Sequence, residues 1–161
     1  MGGERLRVVA AAGLVIGALL GMAGSFAPSA ELRALAWGVD GTALIVASAL
    51  LVVHHLRQGN EQLAAGFLVF LAGETLIVSG SAMNLAASAP LFAAGAGLWA
   101  AALGLISAAR EFPVLVSATG AIAAVLFAIA AARMFLRARL TALSTPLPFS
   151  AYPFLAIALL G

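Results

Sequence analysis

The sequence has no cysteine and no lysine, a single tyrosine, two histidines and very little charge of either sign. Without cysteine there is no disulfide, no thiolate metal site and no cysteine nucleophile. All eight basic residues are arginine, and against six acids they leave a formal net charge of +2. That excess is too small and too scattered for a nucleic-acid-binding surface. The pI near 10.5 reflects two extra Arg over a small charge total, not a basic patch. Charged residues are 9% of the chain and apolar ones 64%, with a mean hydropathy of +1.15. Soluble domains are nearer half apolar and a quarter charged, so a water-soluble fold of this composition would lack the polar surface to cover itself. A bilayer removes that demand. The composition predicts an all-α integral membrane protein, one transmembrane domain over residues 1–161, set in a bacterial inner (cytoplasmic) membrane.

The apolar runs are long, rich in Ala and Leu, and do not alternate, which excludes the β-barrel pattern. A hydrocarbon core of about 30 Å takes roughly 20 apolar residues in a helix. Five runs meet that length: 8–26, 35–56, 63–83, 87–109 and 114–135. Pro28 closes the first, and Arg110-Glu111-Phe112-Pro113 forms a polar turn after the fourth, which carries Pro90 in its expected first turn. A sixth apolar run, 147–161, would extend about 22 Å as a helix and is expected to be an incomplete sixth span, or else a re-entrant or interfacial piece. The first run follows Arg5 and Arg7, as a signal peptide would, but Gly13, Gly17 and Gly21 form a repeated GxxxG suited to close helix packing. It is read as a retained helix.

Orientation follows weakly from charge. With the N-terminus in the cytoplasm, Arg5, Arg7, Arg57 and Arg110 fall inside and Arg33, Arg133, Arg137 and Arg139 outside, an even split from which the positive-inside rule selects neither orientation. A faint internal repeat sets Gly41–Arg57 against Gly120–Arg137, and three helices per half would make two inverted halves.

Glu74 is the most informative side chain. It lies near the middle of the third run, where an ionised carboxylate is expensive and must be protonated, paired or reached by water. It serves either as a proton-coupling or substrate-contact group on a polar path, or as a hydrogen-bonding group that holds the bundle together. Gly66, Gly73 and Gly80 recur every seven residues beside it, and Thr75, Ser79 and Ser81 add hydroxyls. Asp40, in the second run, is expected to lie about 5 Å nearer the membrane face by helical rise and to mark the same path, or to be an interfacial acid near a helix N-terminus. Trp99, mid-run where Trp is unusual, is a candidate lining residue or core packing. Arg133, Arg137 and Arg139 form a candidate lipid-headgroup cluster. His54 and His55 are adjacent, so one helix cannot aim both at one metal ion, and no third His exists to ligate a haem. They are expected to snorkel beside Arg57. No nucleophile triad, phosphate loop or metal motif is present, so no enzyme, cofactor or metal is expected.

Arg57-Gln58-Gly59-Asn60, followed by Phe67 and Phe70, resembles the turn between the second and third helices of the six-helix acetate/succinate transporter family, and Trp99 has a rough counterpart there. The resemblance covers about a third of the chain and implies a small-solute pathway. The family's Asn-Pro-Ala-Pro-Leu-Gly signature is missing from Met1–Val8, and the chain is not assigned to it. The reading that follows from the residues is a small-solute or proton-linked channel or transporter using an intramembrane acid, embedded in the lipid bilayer as a homo-oligomer. The alternative is an accessory subunit packed against other membrane subunits.

Overall fold

The computed structural model of the chain describes residues 2–81, 83, 85–109 and 111–136. It is helical, with no strand among these residues: α1 (Gly2–Ser25), α2 (Ala30–Arg57), α3 (Glu61–Ser81), α4 (Leu85–Ser107) and α5 (Val114–Phe135). All five helices are long and apolar enough to cross a membrane. The expected sixth run, 147–161, together with Arg110, Arg137 and Arg139, lies outside the described residues.

Most helices begin before the apolar runs that identify them, because a helix ends where its backbone is capped and not where apolarity fades. In α2 the Ser29 side chain accepts a bond from Leu32 N at 3.2 Å, an N-cap that adds a polar turn with Glu31 and Arg33 to the helix. In α4 the helix starts at Leu85, so Pro90 lies inside it rather than in its first turn. The α2–α3 turn is a Schellman cap. Asn60 N donates to His55 O at 2.9 Å and Gly59 N to Leu56 O at 3.1 Å, with Gly59 at φ 75°, the left-handed conformation this cap requires. Asn60 Oδ1 then accepts from Leu63 N at 3.4 Å and caps α3.

Each helix packs chiefly against its neighbours in sequence, α1 on α2, α2 on α3, α3 on α4 and α4 on α5. The chain is thus an up-and-down row of antiparallel hairpins. One end carries the start of α1 and the α2–α3 turn. Glu111, before α5, lies at this end too, close enough to His55 for their charges to interact. The other end carries the α1–α2 turn and Arg133. The aromatic part of the core joins α3, α4 and α5: Phe70 stacks on Trp99 with centroids 5.5 Å apart, and Phe127 meets Trp99 edge-on at 5.1 Å. Large apolar side chains such as Leu68 (55% exposed) and Val125 (58%) face outward.

Candidate functional site

The glycines of α1 admit α2, and with it Asp40. A Cβ on Gly13 would meet the Ala47 Cβ at 2.9 Å, one on Gly17 the Leu44 side chain at 2.5 Å, and one on Gly21 the Asp40 carboxyl at 2.8 Å. The GxxxG repeat is therefore a packing seam whose last glycine leaves room for an acid. Trp37 closes the seam toward the end of the helix. Its Nε1 donates to Gly21 O at 3.3 Å, its ring lies against Gly24, and Arg33 stands 6.0 Å from the ring centroid, within cation–π range.

The next residue of α2, Gly41, faces the opposite neighbour. A Cβ there would run into Val78 and would lie 3.0 Å from Glu74 Oε1. Successive helical residues point about 100° apart, so Asp40 meets α1 while Gly41 receives the Glu74 side chain from α3. Asp40 and Glu74 thus flank one turn of α2. Both are buried, with Glu74 2% and Asp40 7% exposed. Asp40 Oδ1 and Glu74 Oε2 have no hydrogen-bond partner, and among the described residues no arginine or histidine pairs with either. No group of three metal-ligating side chains occurs among the described residues.

The other expected path residues lie elsewhere. Thr75 and Ser79 are on the exposed face of α3, and their hydroxyls donate back to Leu71 O (2.8 Å) and Thr75 O (2.7 Å). An internal bond of this kind lets a hydroxyl face lipid. Trp99 is core, 2% exposed between Phe70 and Phe127. The heptad glycines of α3 face α4: a Cβ on Gly66 would meet Ile106, on Gly73 the Trp99 ring and Gly95 O at 3.0 Å, and on Gly80 Leu91 at 3.3 Å. Glu74, one residue round from that seam, is turned to α2. Arg133 is exposed at the end of α5.

Gly41 and Ser48 are not among the path residues expected from the sequence. Ser48 is fully buried, with its Oγ unpartnered. His55 is half-buried. Its ring stacks on Phe67 of α3, centroids 5.5 Å apart and planes 1° from parallel, with Nδ1 buried and unpartnered. What could have found all three is their spacing, since Gly41, Ser48 and His55 repeat every seven residues and share the face of α2 that meets α3.

Compared with protein-family models, with curated proteins and with solved structures, the chain matches none. The likeness of Arg57–Asn60 to the acetate/succinate transporter turn finds no support there. Those residues have a local account as a helix C-cap followed by an N-cap.

Proposed function

We propose that the five helices span a bilayer and that the chain is a proton-linked channel or transporter for a small solute, with Asp40 and Glu74 as the groups that take up and release the proton. The observation that carries this is the pair of buried, uncompensated carboxyls flanking Gly41. An unsatisfied buried polar atom costs about 1–3 kcal/mol, and acids inside a membrane helix characteristically mark proton or ion pathways. A Glu74 that served to bind helices together would hydrogen-bond a neighbouring helix, whereas its Oε2 has no partner. Two buried carboxyls on either side of Gly41 without a paired arginine or histidine form a site whose charge changes by the gain or loss of a proton.

The test is proton flux into proteoliposomes under an imposed pH gradient, read by a trapped pH-sensitive dye. The wild-type chain is expected to exceed empty vesicles, and E74Q and D40N to fall to their level. E74Q at the wild-type rate refutes the proposal.

A second reading has its own support. An apolar groove of about 740 Å³ runs along the outer side of α1 and α2, lined by Val9, Ile16, Leu35, Gly38, Thr42 and Val46 among others. Its small residues suit close approach of another transmembrane helix, as in an accessory subunit or a homo-oligomer. Copurification of a fixed partner chain from native membranes, with no flux from the isolated protein, would favour the subunit reading.

A further inference from the structure

Asp40, Ser48, His55, Asn60 and Glu74 each hold a buried side-chain atom with no hydrogen-bond partner. They are not scattered. Gly41, which receives Glu74 Oε1, and His55, which stacks on Phe67, both lie on the α3-facing side of α2. Ser48 is seven residues from each, and seven residues turn a helix through nearly two full turns, about 20° short. Ser48 therefore faces α3 midway between them. The α2–α3 interface thus carries a carboxyl, a buried hydroxyl and an imidazole in line, ending at the Asn60 turn.

We infer that Ser48 and His55 form the route by which protons pass between the Asp40–Glu74 pair and the membrane face bearing the α2–α3 turn; this rests on the proton-linked reading of that pair. The intervals from Gly41 to Ser48 and from Ser48 to His55 are each about 10 Å by helical rise, so the inferred route requires water molecules to bridge them. A proton from the medium binds the half-buried His55 ring at Nε2, the imidazolium gives its buried Nδ1 proton to a water, and a flip of the ring restores the starting tautomer. That water protonates Ser48 Oγ, which gives up its own hydroxyl proton to the next water. The last water delivers a proton to Glu74 Oε2, converting carboxylate to carboxylic acid. One proton moves, every carrier returns to its starting state, and no electrons are exchanged. The groups whose charges act on His55 are His54 on its own helix, whose ring is edge-on at 5.2 Å, and Glu111 ahead of α5. Glu111 lies at the outer mouth of the route, where an acid concentrates cations.

The experiment uses the full chain in proteoliposomes with a trapped pH dye. It also follows, after a jump to acid pH, the appearance of the carboxylic-acid infrared band identified by its loss in E74Q. S48A and H55F are expected to slow both flux and band appearance by at least about tenfold, a threshold set below the roughly hundredfold that a positioned proton-transfer group supplies at the low end. The final band amplitude should be unchanged, because the acceptor remains. S48T keeps the hydroxyl and is expected to restore both rates. If E74Q is inactive while S48A and H55F run at the wild-type rate, the route is overturned and the carboxyl reading stands. If S48T is as slow as S48A, packing explains the loss and the route is overturned. A wild-type chain no faster than empty vesicles, or E74Q at the wild-type rate, overturns both.

Discussion

The Asp40 carboxyl lies on the backbone of Gly21, where a single added methyl would sit 2.8 Å from Oδ2 and 3.3 Å from Cγ. Gly21 O at the same place accepts both Trp37 Nε1 and Ser25 Oγ, so the neighbourhood of this acid is fixed by backbone and leaves its carboxyl little freedom. Gly21→Ala is expected to displace the carboxyl and to cost about 1–3 kcal/mol, the usual range for overpacking. Proton flux should fall with it. Thermal unfolding in detergent gives the first quantity and the proteoliposome assay the second. An unchanged melting temperature with unchanged flux would show that Asp40 moves aside freely.

Glu74 offers a separation of stability from activity. Its Oε2 is buried without a partner, so Glu74→Leu removes an unsatisfied group at similar volume, and such replacements are often neutral or stabilising by about 1 kcal/mol. The variant should melt at or above the wild-type temperature while conducting no protons. Strong destabilisation would instead assign Glu74 to holding helices together.

Two glycines of α4 should respond oppositely to alanine. A Cβ on Gly95 would stand 2.9 Å from the Gly73 carbonyl and 2.7 Å from Ile77, whereas one on Gly104 meets nothing within 4 Å. Gly95→Ala must push α3 and α4 apart, at about 1–3 kcal/mol. Gly104→Ala should be neutral or stabilising by up to about 1 kcal/mol through helix propensity. Parallel melting curves test the contrast, and equal effects would refute the close α3–α4 approach.

Trp99 is expected to matter for stability and not for proton transfer. It is stacked on Phe70 and edge-on to Phe127, so Trp99→Ala should cost about 3–5 kcal/mol. Trp99→Phe should retain much of the packing and wild-type flux per folded molecule. Loss of flux in a well-folded Trp99→Phe variant would return Trp99 to the path.

The α2–α3 turn provides a control far from the acids. Gly59 holds φ 75° with open space around it, so Gly59→Ala is penalised by backbone conformation alone, at about 1–2 kcal/mol. Gly59→Asn should cost less, because Asn tolerates the left-handed region better. Denaturation of the two variants side by side checks the order.

The sequence by itself determined five apolar helices and an acid within the third, because hydrophobic length and the cost of a carboxylate in an apolar setting are properties of one segment at a time. It also marked Gly13, Gly17 and Gly21 as a packing face, since i, i+4 spacing puts small residues on one side of any helix. What each face meets was decided by tertiary structure alone. Thr75 and Ser79 follow Glu74 in sequence yet face outward, because helical rotation separates neighbours and their hydroxyls are satisfied by their own backbone. Trp99 meets two rings from other helices rather than a cavity. Asp40, open to reading as an interfacial acid, lies on Gly21 because the α1–α2 register puts it there. Registers between helices depend on which side chains interdigitate, and no single segment contains that information. The acid visible in one helix thus becomes one of a pair, joined across Gly41 by the packing of three.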